Sequence, residues 1–162
     1  MKKLLVILCL IALSGCTTTD NKEIESMYIV KYGYYVSLAD YLTAYKIDFV
    51  NEEFLKCEMD YEEFYEERNN DLLSYNYELV SKLDGEKIDA FNADMNRYKV
   101  NKLKSNYENN EVLDGGGWQI IIVYVDAETV ISNGRNAFPN NWNKISESVE
   151  KLVGDDIMGS SY

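Results

Sequence analysis

The run Trp118-Gln119-Ile120-Ile121-Ile122-Val123-Tyr124-Val125 is apolar at both alternate sets of positions, with Gln119 the one exception. Side chains of a strand point alternately to two faces, so such a run is satisfied only where both faces are covered. It belongs in the middle of a sheet covered on both sides, or in a closed one. Asp126-Ala127-Glu128 predicts a turn back into Thr129-Val130-Ile131, which completes a hairpin.

Earlier in the chain the pattern has period two. Tyr28, Val30, Tyr32, Tyr34 and Val36 alternate with other residues, as do Tyr41, Thr43, Tyr45, Ile47 and Phe49. Aromatic and β-branched residues at this period predict half-buried strands. Phe49, Leu55, Cys57 and Met59 predict a third strand. Leu73, Tyr75, Tyr77 and Leu79 predict a fourth, with Glu58, Asn76 and Glu78 turned to the opposite faces.

Two segments change to helical spacing. Ile88, Phe91, Met95 and Tyr98 share one helix face, with Asp84 as the expected N-cap and an end before Asn106. Trp142, Ile145, Val149, Leu152 and Val153 form a second apolar stripe, which Gly154 is placed to stop. The order of strands, helix, hairpin and helix predicts one α+β domain. Its sheet is mostly antiparallel, with about six strands, and two helices lie against one side.

The first fifteen residues, MKKLLVILCLIALSG, combine Lys2 and Lys3 with an apolar run over 4–13 and then small residues, the layout of an export signal. As a helix the run would reach only about 15 Å, against a hydrocarbon core of about 30 Å. The junction Leu13-Ser14-Gly15-Cys16 resembles the lipobox of bacterial lipoproteins. That resemblance implies cleavage between Gly15 and Cys16, a diacylglycerol thioether on the Cys16 thiol, and in many bacteria a further acyl chain such as palmitate on the new amine. Two or three acyl chains hold a protein stably on a bilayer. The expected organisation is a signal over 1–15, a lipidated polar tether over 16–26 and a single domain of unknown function over 27–162. The expected place is the exported side of a bacterial membrane. In a Gram-negative host, Thr17 rather than aspartate behind Cys16 resembles the sorting signal of outer-membrane lipoproteins and implies that membrane, facing the periplasm or the surface; in a Gram-positive host the anchor is the exterior of the plasma membrane.

Charge and cysteine usage narrow the rest. The chain has 16 basic and 28 acidic residues and no histidine. Its net charge of −12 becomes −14 once the two lysines of the signal are removed. An acidic surface argues against nucleic acid and against docking on anionic lipid, since both need basic residues to displace counterions. Of the three cysteines, Cys9 leaves with the signal and Cys16 carries lipid. Cys57 then stands alone in the mature chain, with no intramolecular disulfide, and reads as a buried core thiol.

Without histidine, Ser-His-Asp and Cys-His nucleophiles and His-ligated metals are excluded, and there are too few cysteines for a four-thiolate zinc site. No catalytic residue, metal ligand or cofactor is assigned. The acidic stretch from Glu58 to Asp71 reads as a solvated hairpin or loop; the alternatives are calcium ligands or a glycosidase carboxylate pair. It lacks the alternating ligands and central glycine of an EF-hand loop. Gly115-Gly116-Gly117 reads as a tight turn, because a phosphate cradle needs a helix behind the glycines and here a strand follows. The fourteen tyrosines read as strand residues, with an aromatic platform for sugars, peptides or wall fragments as the alternative.

The C-terminal stretch ISNGRNAFPNNWNKI holds the sole proline. Gly134 is expected to let the chain leave the hairpin. Pro139 is expected to set φ near the first helical turn, and Asn140 or Asn141 to cap it. Asn136, Asn140, Asn141 and Trp142 also make the candidate binding surface. From Val112 to Val153 the chain resembles uncharacterised bacterial proteins, some of them lipoproteins. Their pattern runs DG, W, an alternating strand, DG, and G-x-N-A-Y-P-x-N-F/W before a helix. Asp114-Gly115, Trp118, Asp126, Gly134, Asn136-Ala137-Phe138-Pro139 and Trp142 carry the likeness. Ala127 stands where glycine is usual and Phe138 where tyrosine is usual, and the first change is expected to alter the turn. The resemblance implies a fold and no activity.

The function expected is that of a lipid-anchored envelope protein, a non-catalytic binding or interaction module. Its partners are the membrane, through Cys16, and an envelope protein or wall polymer. The alternatives are an inhibitor or immunity module steered to a basic secreted enzyme, and a wall enzyme using carboxylates such as Glu62, Glu66 or Asp114.

Overall fold

The structure, a computed structural model, describes residues 22–33, 41–60, 64, 71–112 and 115–159. Gly15 and Cys16, most of the acidic stretch and Asp114 lie outside these residues. In chain order the elements are β1 (Ile24–Tyr32), β2 (Tyr41–Asp48), β3 (Glu53–Asp60), β4 (Glu78–Lys82), α1 (Gly85–Tyr98), β5 (Asn106–Glu108), β6 (Gly117–Tyr124), β7 (Thr129–Arg135) and α2 (Trp142–Val153). The strands form one sheet in the order β4-β3-β2-β1-β6-β7-β5.

β6 pairs antiparallel with β1 on one side and β7 on the other, with Ile120 opposite Ile29 and Ser132. Trp118, Ile120, Ile122 and Tyr124 face a core shared with α1 and α2, together with Met27, Ile29, Ile47 and Phe54 from the neighbouring strands. Ile121 faces the other way, into a second cluster with Tyr28, Val30, Leu42, Ala44, Cys57 and Met59. Both helices lie on the first side, as their apolar stripes predict. The second side is closed by Phe64 and Leu72, with Tyr75 and Tyr77 packed against the cluster. Tyr28 meets Tyr77 edge to face, with centroids 5.8 Å apart. The exception in the run, Gln119, is buried on this second side and donates from Nε2 to Asn133 Oδ1 at 2.8 Å.

The sheet has seven strands where about six were expected. The added strand is β5, three residues long and mostly polar, which pairs parallel with β7. A strand of three residues is too short to show a period, so only the completed β7 edge reveals it. β4 also differs from expectation. Asp71–Leu73 is a 3-10 turn, the strand begins at Glu78, and Leu73 and Leu79 are exposed. β1 begins at Ile24, so residues 24–26, read as the end of the tether, belong to the sheet.

Local chemistry sets the ends of the helices. Asp84 Oδ1 accepts from the backbone N–H groups of Glu86 and Lys87 at 2.9 and 3.2 Å, the N-cap read from sequence. α1 stops at Tyr98, before Asn106 as expected, because Lys99 takes a left-handed conformation (φ 56°) and a 3-10 turn follows over Val100–Lys102. Gly154 ends α2 at φ 83°, its N–H bonded to Glu150 O at 2.7 Å. Asn141 occupies the N-cap position of α2 without making the expected side-chain cap. Its amide Nδ2 instead donates to Tyr98 O at 2.7 Å and ties the start of α2 to the end of α1.

The β6–β7 turn keeps the shape that glycine would favour. Ala127 N–H bonds Tyr124 O at 2.8 Å, Tyr124 N–H bonds Glu128 O at 2.9 Å, and Ala127 sits at φ 65°. This is the bulge position where a left-handed residue closes a three-residue loop. A left-handed L-residue costs on the order of 1–2 kcal/mol, part of which glycine returns through its flexible unfolded chain. Ala127→Gly is therefore expected to stabilise the fold by about 1 kcal/mol, seen as a thermal midpoint raised by about 3 °C.

Candidate functional site

The four residues of the candidate surface come to one end of the molecule, where β1 and β7 finish and α2 begins, but three of them are held by the fold. Asn136 takes φ 55°, bonds Gly116 O through its backbone N–H at 3.0 Å, and donates from Nδ2 to Val112 O at 3.0 Å. It clamps the segment leading into β6 against the end of β7. Asn141 joins the helices as described. Trp142 is buried, with Nε1 donating to Gly159 O at 2.9 Å. Asn140 is exposed. This end is therefore a network of asparagine and indole donors spent on main-chain carbonyls.

The reason lies beneath it. Trp118 Nε1 donates to Ala137 O at 2.9 Å, and its ring centroid lies 4.6 Å from that of Trp142 and 6.3 Å from that of Phe138. Gly134 lies under the Trp118 indole, so close that a Cβ there would stand 2.0 Å from Nε1. Gly134 is thus required by the approach of an aromatic ring within β7, and not by an exit from the hairpin. Pro139 is buried and its carbonyl accepts from Trp142 N–H at 2.9 Å, which turns the chain into α2. The glycine triplet follows the same logic. A Cβ on Gly117 would fall 2.2 Å from the Tyr32 ring, and one on Gly116 2.7 Å from Tyr32 O. None of the three has positive φ. They are there for close packing against Tyr32 and Asn136, where the sequence suggested a turn.

Two polar sites were not visible in the sequence. Between α1 and α2 a small groove of about 80 Å³ has Phe91 and Leu152 on its walls and Lys87 and Lys151 at its rim. Ser148 Oγ donates to Asp94 Oδ2 inside it at 2.8 Å. Ligand pockets run to about 300 Å³ and more, so this bond serves to join the helices. At the β2–β3 turn, Asp48 is almost fully buried. Its carboxylate accepts from Lys46 Nζ at 2.9 Å, from Asn51 N–H at 2.9 Å and from Asn51 Nδ2 at 3.2 Å. Burial alone would raise its pKa, but Lys46 and the two Asn51 donors outweigh it and hold the carboxyl below its ordinary value. For Lys46 burial acts downward, and the bond to Asp48 and the nearby Tyr28 leave it above its ordinary value.

Cys57 is buried beside Tyr77 in the second cluster, and burial pushes its thiol up. Burial raises Tyr77 as well, and the Cys57 neighbour adds to it; Tyr77 Oη donates to Leu72 O at 2.8 Å. A protonated, covered thiol is a poor nucleophile. Tyr28, Tyr32 and Tyr77 pack inward on this side and form no open platform, whereas Tyr41 is exposed. Among the described residues no group of three acidic or cysteine side chains is placed to hold a metal ion. Glu58 and Asp60 point to solvent from β3, and Glu62 and Glu66 fall outside the described residues.

A comparison of the chain with family models, curated proteins and solved structures finds no match. Any functional reading therefore stands on this chain's own residues.

Three outcomes follow from this geometry. Gly134→Ala should destabilise the domain by about 1–3 kcal/mol in denaturant unfolding, because the new methyl would displace the buried Trp118 ring. Asp48→Asn should cost on the order of 1–3 kcal/mol near neutral pH by leaving Lys46 without its carboxylate. The Asp48 contribution is present above the ordinary carboxylate pKa of about 3.9 and is lost as pH falls through the lower folded value, so the two proteins' unfolding curves should converge in acid. Cys57 should resist a thiol reagent at pH 8 in the native protein and react at once in denaturant.

Proposed function

We propose that this chain is a bacterial lipoprotein, held on the exported side of a membrane by acyl chains on Cys16, whose acidic domain is a non-catalytic binding or interaction module of the cell envelope. The observation that carries the reading is the sequence Leu13-Ser14-Gly15-Cys16 directly behind a basic start and a short apolar run. The domain geometry is compatible with it. Lys22 precedes β1 at one end of the sheet, so a tether can leave there without crossing the core. No helix among the described residues is long and apolar enough to cross a membrane. The bonding of Asn136, Asn141 and Trp142 supports a structural role for the proline-containing stretch, so the partner surface is sought elsewhere.

The charge favours a second reading, an inhibitor or immunity module for a basic secreted enzyme. A side-chain net charge of −14 after loss of Lys2 and Lys3 would speed encounter with such a target, at rates that fall with salt. Inhibition of a secreted basic hydrolase that weakens with ionic strength would support it.

The test of the first reading is metabolic labelling with palmitate. Label is expected in the wild-type chain and absent after Cys16→Ala, with the unprocessed precursor accumulating. A chain that is exported without lipid would overturn the anchor.

A further inference from the structure

The chain enters the domain between two hairpin tips. Val125 N–H bonds Glu23 O at 3.1 Å, and Phe49 N–H bonds Glu25 O at 3.0 Å. Lys22 Nζ reaches Asp126 Oδ2 at 3.3 Å and pairs with Glu128, while its carbonyl accepts from Asn96 Nδ2 at 3.5 Å. The entry point is therefore fixed between the β2–β3 turn and the β6–β7 turn. Each tip carries an exposed valine, Val50 at 68% and Val125 at 56%. Tyr41 and Val112, also exposed, lie toward the opposite end of the strands, where Asn136 holds Val112 O.

The chain outside the structure limits where this end can be. Five residues, 17–21, lie between Cys16 and the fixed Lys22, which makes six Cα–Cα steps. They span about 21 Å at full extension. As a flexible coil they span about 13 Å. β1 alone is about 26 Å long from first to last residue, at about 3.3 Å per residue. With lipid on Cys16, the tether holds the valine-bearing tips near the bilayer and leaves the other end a strand length away.

We propose that the β2–β3 and β6–β7 tips form the face that rests on the membrane, with Val50 and Val125 at a zwitterionic lipid interface. This rests on the anchoring at Cys16 proposed above. Charge selects the lipid. Glu23, Glu25, Glu52, Glu53, Asp126 and Glu128 surround the tips; of the lysines beside them, Lys22 is engaged by Asp126 and Glu128, and Lys82 by Glu53 and Asn51 O, which leaves the rim acidic. An anionic surface repels such a rim. Zwitterionic headgroups carry their ammonium groups outermost and offer cations to the carboxylates while the valines meet the interface.

The experiment uses the full lipid-bearing chain in phosphatidylcholine vesicles containing a nitroxide-headgroup lipid. A fluorophore is attached in turn through Val50→Cys, Val125→Cys or Val112→Cys, with Cys57 protected by burial. Quenching at 50 and 125 is expected to be several-fold stronger than at 112, to weaken when anionic lipid is added, and to recover with salt. Equal quenching at all three sites, or stronger quenching at 112, on protein whose Cys16 is shown by mass to carry lipid would overturn this face and leave the anchor standing. A chain with no lipid on Cys16 that fails to float with vesicles would overturn both.

Discussion

The packing of the Trp118 indole on the Gly134 backbone is the contact around which the C-terminal half is assembled. The ring reaches the main chain of β7 because Gly134 has no Cβ. Its Nε1 then holds Ala137 O, its face meets Phe138 and Trp142, and α2 begins beneath it. A buried indole needs a hydrogen-bond acceptor, and supplying one from the main chain fixes the path of the segment that leads into α2. Once α2 is placed, α1 follows through Asn141 and Ser148, and the helix side of β6 is closed.

The other face of β6 is covered by a different device. Phe64, Leu72, Tyr75 and Tyr77 come from the connection between β3 and β4 and close the second cluster. Tyrosine suits this place because its ring is buried while its hydroxyl can still reach a partner, as Tyr77 reaches Leu72 O. This is where Cys57 becomes a core thiol. The same burial that keeps it inert raises the Tyr77 hydroxyl, so this side is built for packing.

The acidity of the chain is distributed by the same economy of space. Asp48 alone among the described carboxylates is buried, and it is bonded by an ammonium, an amide and a main-chain N–H. The other described acids keep some exposure, Asp94 within the groove between the helices and most of the rest on the open surface, where they set the long-range field and cost little. A net charge of −12 gives that field one sign over the whole chain.

Periodicity and burial were legible in the sequence wherever one residue's environment is decided by its near neighbours. The run from Trp118 announced a doubly covered strand, which ends at Tyr124 and leaves Val125 exposed in the turn, the spacings of Ile88, Phe91 and Met95 and of Trp142, Ile145 and Val149 announced two helix faces, and Asp84 and Gly154 announced their ends. The motif at residues 13–16 is equally local, and the anchor proposed on it rests on sequence alone. What only the tertiary structure decided are the features that depend on distant partners. β5 exists because β7 offers an edge. Gly134 and Gly117 are glycines because Trp118 and Tyr32 lie over them, and Asn136, Asn141 and Trp142 are committed to carbonyls 17 to 43 residues away in the chain. A turn signal and a packing glycine are the same letter in a sequence; the distance to a ring on another strand tells them apart.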